Sequence, residues 1–501
     1  MRTYRFFIVF LTAYGTFYAP AYSIQYRQFI LCTTNECRNA ASEILEKLDP
    51  IVDPCDDFYK FACGEWLQYN QANKSFPLIN FYTVLSRNIH NQLREMLEVP
   101  TNPSDTMSFQ KAKHVFAQCM NHDIDKNTSS KAVKMTNFSI TGEANGIARN
   151  KQRYRNVPKW EKCVNTVKMH TAISHEYVKK YASHLENEET LENIKEIVRD
   201  IYNVVREQIH NCGWTDEYNK ELFLEKLEHI KFEFIKPEWY SDEAIDRFYE
   251  DLNVNKPYVQ NQLKVSIFEE KKLESLRNSD NQFFLPWIIH PTTPDIFYDS
   301  RYNKIAVPAA LLQKPVYDRN RPAVMNYATL GAAIGREITH AFDKNCMQDQ
   351  DNTYSGKTTQ SNYRNITQCF IDQYNNYQVQ VQNRIIRVNG SLTCTKNLGD
   401  SAGIFTAYQA YKYRKTRRGE EDFWLEGLHK YTDEQVFFLT YAQLFCETAL
   451  PQKIQKNIVQ TVSSLRKIRI RGSLSNSREF SDAYDCLLGT RMNPTKKCTF
   501  W

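Results

Sequence analysis

The chain has 501 residues, of which 42% are hydrophobic and 13% aromatic, enough for a large buried core and too long for one ordinary domain. Its net charge of +6 is modest, and the basic residues are mostly interleaved with acids. These values exclude a disordered polyelectrolyte and give no support to a nucleic-acid partner.

The N-terminus reads as a signal peptide over residues 1–23. Arg2 and Arg5 make a basic start, Phe6 to Ala13 is mostly apolar, and Ala19-Pro20-Ala21-Tyr22-Ser23 offers small residues for cleavage. No later segment is apolar enough to span a bilayer, so the mature chain is expected to be secreted, extracellular and without a membrane span. Thirteen cysteines imply a disulfide framework with at least one thiol left over. Five glycosylation sequons agree with export, at Asn73, Asn127, Asn137, Asn365 and Asn389.

In chain order, a Cys-rich start (Cys32, Cys37) leads into Asp53-Pro54-Cys55 and then Cys63-Gly64-Glu65-Trp66. Residues 84–98 and 106–121 have helical spacing of apolar positions. The polar stretch 121–158 reads as a linker. Residues 160–285 are expected to be mostly helical, with Ile194, Ile197, Val198, Ile201, Val204 and Val205 on one stripe. Residues 296–308 look like strand and turn. From Tyr327 onward the pattern is helical, with loops expected near 345–365 and 385–397. Arg414-Lys415-Thr416-Arg417-Arg418 reads as a solvated helix end. The fold class is mainly α with a small β element.

One helix carries the chemistry. Leu330, Ile334, Ile338 and Ala341 fall on an apolar face, and Arg336 and His340 share another, with Glu337 beside them. A zinc peptidase helix reads His-Glu-x-x-His: two imidazoles from adjacent turns bind the metal, and the Glu takes a proton from the metal-bound water. In this chain the first His position is Arg336.

The motifs together resemble the neprilysin and endothelin-converting-enzyme family of zinc metalloendopeptidases. They are the stretch from Asp53 to Trp66, Val307-Pro308-Ala309-Ala310-Leu311-Leu312-Gln313-Lys314-Pro315 before the helix, and the ending Met492-Asn493-Pro494 to Trp501. The resemblance implies a two-lobed zincin-like fold, with an N-terminal and helical lobe over 24–290 and a catalytic-type lobe over 291–501. The first lobe is shortened near 120–160, where the family has a helical insertion, which suggests a more open cavity.

Carried over residue by residue, the resemblance keeps Glu337 at the general-base position and His340 at the second metal ligand. Arg336 stands at the first ligand. The family's third-ligand motif, Gly-Glu-Asn-x-x-Asp, falls without gaps on Thr395 to Asp400, placing Lys396 at the ligand and keeping Asp400 as the supporting carboxylate. A gapped alignment would instead put Asp400 at the ligand. Arg469 is kept, while Ser463 stands six residues earlier where a His is expected. The Asn that pairs with substrate backbone falls on Asp295, followed by Ile296; an ionised Asp cannot donate the amide hydrogen of an Asn. Arg has no lone pair for a metal. Arg336 is therefore expected to pair with Asp400, Lys396 with Glu337, and no cofactor is expected where the family holds zinc.

The expected function is a secreted, catalytically inactive homologue that binds a peptide or an extracellular protein. The alternatives are an active zinc metalloendopeptidase cleaving peptides, and a structural or adhesive extracellular protein. The resemblance also implies the disulfides Cys32–Cys37, Cys55–Cys486, Cys63–Cys446, Cys119–Cys163 and Cys369–Cys498. Cys212, Cys346 and Cys394 are left; one more bridge and a free thiol is the plain reading, and a disulfide-linked dimer the sharper one.

Overall fold

Several helices in this chain begin where the sequence supplies a cap. The side chains of Thr34, Asp57, Asn80, Thr106, Ser241, Asn389, Thr432 and Ser477 each accept a hydrogen bond from the backbone N–H three residues on. Each such cap is worth about 1 kcal/mol. The computed structural model describes residues 29–122, 157–277, 287, 289–343 and 356–501. The signal peptide, most of the 121–158 linker, the sequons at Asn127 and Asn137, and Cys346 lie outside the described residues.

The chain divides into two compact units that interleave along the sequence. The first takes in residues up to Ile79, Glu196–Leu224 and Tyr317–Trp501. The second takes in Asn80–Lys195 and Glu225–Val316.

In the second unit, the expected helices appear as Phe81–Glu98 and Met107–Asn121. Phe109, Ala112, Phe116 and Cys119 form the buried stripe of the latter. Residues 159–277 are largely helical, but they include the strand Lys231–Ile235. That strand runs parallel to Lys304–Pro308, which pairs antiparallel with Phe297–Asp299, so the strand-and-turn expectation for 296–308 gains a third strand from earlier in the chain.

In the first unit, Phe29–Cys32 pairs in parallel with Asp422–Leu425. The disulfides Cys55–Cys486 and Cys63–Cys446 tie the start of the unit to its end. All five pairings implied by the resemblance are present. Bridges closing loops this long restrict the unfolded chain, by up to about 5 kcal/mol each in the entropy model. Cys394 is also disulfide-bonded, and Cys212 is a buried free thiol.

Two expectations need correction here. The loop near 385–397 is a hairpin, Gln378–Val381 with Arg384–Arg387, followed at once by the long helix Gly390–Arg418. Asn389 caps that helix, and Asn375 Oδ1 accepts from Gly390 N at 2.7 Å. A Cβ at Gly390 would meet Ile371 O at 2.2 Å, so only glycine allows the helix to start so close to its neighbour. The loop expected up to 365 is likewise already the helix Lys357–Asn375 from 357 onward. Its polar first turn hides the buried positions Tyr363, Thr367, Phe370 and Tyr374.

The basic run does end a helix, and its exposed Arg417 and Arg418 are ion-paired as well. Arg417 reaches Glu196 (2.7 Å) and Asp200 (3.1 Å), Arg418 reaches Glu196 (2.6 Å), and the buried Lys415 reaches Asp433 (2.7 Å) and Asp422. The Arg417 and Arg418 pairs fasten the Gly390–Arg418 helix to the Glu188–Asn211 helix, whose Asp200 also accepts from the Tyr327 hydroxyl at 2.5 Å.

Candidate functional site

The site is built where two helices of the first unit cross. A short helix, Ala323–Asn326, passes through one π-helical turn, Tyr327–Gly331, into the helix Ala332–Thr339. Leu330, Ile334 and Ile338 are fully buried and Ala341 nearly so, as the apolar face requires. This helix lies against Gly390–Arg418 through glycines. A Cβ at Gly403 would meet Ala332 O at 2.7 Å and Arg336 N at 2.8 Å; one at Gly399 would meet the His340 ring at 2.7 Å. Backbone is thus brought against backbone, and the polar faces of the two helices meet.

Lys396 Nζ lies 3.4 Å from His340 Nε2. An ammonium only donates, so Nε2 accepts, and Nδ1–H is left to donate to Asp343 Oδ2 at 2.7 Å. Arg336 Nη2 lies 3.4 Å from Glu337 Oε1, and Arg336 Nε lies 3.7 Å from Asp400 Oδ1. Asp400 takes two bonds from Arg469, Nε to Oδ2 and Nη2 to Oδ1, both 2.6 Å. Burial alone would raise the Asp400 pKa, but the charge and hydrogen bonds of Arg469, with Arg336 beyond, hold it below the ordinary carboxylate value. The Arg469 guanidinium also sits over the Phe445 ring, 4.7 Å from its centre.

The structure therefore brings together Arg336, Glu337, His340, Lys396, Asp400 and Arg469. The expected Arg336–Asp400 pairing is present at long range, and Lys396 meets His340. Ser463 lies in the turn before Arg469's helix, where its carbonyl accepts from Thr461 Oγ1 at 2.8 Å. Its neighbour Ser464 donates to Asn397 at 2.9 Å. Asp295 and Ile296 belong to the second unit, where Asp295 is exposed and Ile296 buried. Sequence reading missed Asp343, although its place three residues after His340 at a helix end was a usable signal. It also missed Gly399 and Gly403 as the reason the helices touch.

Comparison with known proteins gives one family. The models of Peptidase family M13 match residues 54–143 and 126–237 for the N-terminal part and 295–500 for the rest. Neprilysin-1 of Caenorhabditis elegans is 31% identical over 363 residues, covering 70% of this chain and 47% of that protein. Human membrane metallo-endopeptidase-like 1 is 31% identical over 355 residues, covering 68% and 44%. The chain thus spans about half the length of the curated relatives it matches. Among solved structures, the Haemonchus galactose-containing glycoprotein complex superposes with TM-score 0.69 at 18% identity, covering 93% of this chain and 99% of that one. A Mycobacterium tuberculosis zinc metalloprotease bound to an inhibitor gives TM-score 0.67 at 14% identity, covering 91% and 99%. These two likenesses establish the fold, a mainly helical zincin-like one.

The family match points to zinc as the cofactor, and this corrects the expectation that there is none. The side chains at the site do not, as arranged, fit that ion. The His340 lone pair that would face it takes the Lys396 ammonium, and the neighbouring helical turn offers the Arg336 guanidinium. Among the described residues, the one group of three or more convergent metal-ligating side chains is in the other unit. It consists of His175, Glu176 and Asp242, with the Lys179 ammonium 2.9 Å from Asp242 and 3.4 Å from Glu176.

Proposed function

Because this chain belongs to peptidase family M13, we propose that it is an exported, neprilysin-like member that binds peptides without hydrolysing them. The observation that carries this reading is the Lys396 ammonium on His340 Nε2. Hydrolysis in this type of site needs a polarised water and a carboxylate free to take its proton. Glu337, the carboxylate at that position, is 3% exposed, and the Arg336 guanidinium lies 3.4 Å from it. The retained crossing of the two helices keeps the frame against which a peptide would lie. Five disulfides among the described residues and an N-terminal leader pattern support export.

Hydrogen exchange with and without a mixture of short peptides bearing hydrophobic residues tests the binding half. The expected result is slowed exchange over Ala332–Thr339 and Gly390–Arg418 with the peptides recovered intact. Unchanged exchange in both helices would favour the structural or adhesive alternative. Peptide fragments whose appearance a chelator blocks would favour an active metalloendopeptidase.

A further inference from the structure

Two stretches of the first unit carry no acid at all. Neither 373–399 nor 448–478 contains an aspartate or a glutamate, while Arg384, Arg387, Lys453, Lys456 and Lys467 are among their basic residues. The hairpin of Gln378–Val381 with Arg384–Arg387 belongs to the first stretch, and the helix Pro451–Gln460 to the second. They meet at a cleft of about 610 Å³ lined by Val381, Gln382, Asn383, Arg384, Ile386 and Gln455, with no carboxylate among them.

The hairpin also has an open strand edge. Val388 N donates to Tyr377 O at 3.1 Å, and the register sets Val379 opposite Ile386 and Val381 opposite Arg384. Ladder bonds in an antiparallel pair fall on alternate residue pairs. Arg384 and Ile386 therefore spend theirs on the partner strand, and the N–H and C=O of Ile385 and Arg387 point outward. Among the described residues no third strand joins this sheet, and no hydrogen bond ties the backbone of Ile385 or Arg387 to another segment. Ile385 is 69% exposed, and Arg384 and Arg387 are exposed on either side of the two isoleucines. A second copy of the chain pairing here in register would set arginine opposite arginine in either direction, which is unfavourable. A strand with carboxylates at its ends and apolar residues between them would instead meet each arginine with an acid and each isoleucine with an apolar side chain.

We propose that the outer edge of Arg384–Arg387 docks an extended acidic peptide segment, two carboxylates flanking two apolar residues, as a third strand. Main-chain bonds to Ile385 and Arg387 give attachment, and the two arginines give selectivity. The residue opposite Ile386 shares its face of the sheet and so lies over the cleft. This edge shares no residue with the cluster of Arg336, His340 and Lys396, so it stands whether or not that cluster holds peptides.

The test uses the full oxidised chain and a fluorescent peptide in which Glu-Val-Val-Glu is flanked by Gly-Ser, with a Lys-Val-Val-Lys counterpart. Anisotropy titrations are expected to show saturable binding of the acidic peptide that weakens with added salt. Hydrogen exchange at the amides of Ile385 and Arg387 is expected to slow in the complex. Arg384→Glu combined with Arg387→Glu should weaken that binding roughly tenfold or more and let the lysine peptide bind instead. Ile385→Pro leaves both arginines in place and removes one outward N–H, so it should weaken binding as well. No saturable binding, or binding that survives both variants, would overturn the proposal. Binding lost on charge reversal but kept in Ile385→Pro, with exchange at Ile385 and Arg387 unchanged, would overturn strand addition and leave only a surface for anions. The exchange measurement is made on the natural chain, so it decides even where a variant misfolds.

Discussion

Lys396 Nζ stands 3.4 Å from His340 Nε2, on the lone pair through which an imidazole would hold a metal. Lys396 and His340 come from different helices, and their meeting depends on Gly399 and Gly403, which let those helices approach backbone to backbone. The crossing thus sets an ammonium against an imidazole nitrogen inside the first unit.

Removing a methyl-sized gap should disturb this crossing first. Gly403→Ala would place a Cβ 2.7–2.8 Å from backbone atoms of Ala332 and Arg336, which cannot swing aside as a side-chain tip would. The expected destabilisation is about 1–3 kcal/mol in urea unfolding. A change within error would mean that the helices are further apart than described.

Asp400 is buried and holds Arg469 by two bonds of 2.6 Å. Asp400→Asn leaves that guanidinium without its counter-charge, and the expected loss is roughly 3–5 kcal/mol. Asp400→Leu combined with Arg469→Met should recover a large part of it, measured by the same unfolding curves. Equal losses in the single and double variants would contradict the pairing.

A fall and a rise in pH should act on different groups of the second unit. His170, stacked on His290 with ring centres 4.3 Å apart, has its pKa lowered to about 4 by burial and then by Lys168. The unfolded imidazole takes its proton near 6.5, so this contribution to stability is intact above that pH and declines as pH falls toward 4. Glu269, bound by the Tyr249 hydroxyl, has its pKa raised to about 7 by burial. Its unfolded value is 4.5, so its contribution is intact below that and is lost as pH rises through 7. His170→Phe should therefore flatten the acid limb of a melting-temperature profile, and Glu269→Gln the limb between pH 4.5 and 7. A profile unchanged by either variant would contradict these assignments.

Cys212 is 2% exposed, and burial raises its thiol pKa. Iodoacetamide should label it only after unfolding, read by peptide mass. A dimer on a non-reducing gel that Cys212→Ser abolishes would contradict this and revive the intermolecular bridge.

Much of this was readable in the sequence because it is local or framed by motifs. The apolar face of the Glu337 helix, the helices over 84–98 and 106–121, and the caps follow from spacing and residue type alone. The five disulfides came through resemblance, since no spacing rule joins Cys55 to Cys486. What stayed hidden is long-range. Nothing in the run Arg414 to Arg418 points to Glu196 and Asp200, more than two hundred residues away, so its ion pairs were not legible. The approach of Lys396 to His340 was hidden for the same reason: it is set by how closely two helices cross, which two glycines decide. The strand Lys231–Ile235 was lost inside a region of helical composition because its pairing partner is Lys304–Pro308.

The most direct test of the central claim is a quenched-peptide cleavage assay on the oxidised, tag-free chain supplied with zinc, run beside the double variant Arg336→His/Lys396→Glu. No cleavage above background is expected of the natural chain, and chelator-sensitive cleavage is expected of the variant, which places a His and a Glu beside His340. Chelator-sensitive cleavage by the natural chain itself would contradict the reading of a peptide-holding site without hydrolysis.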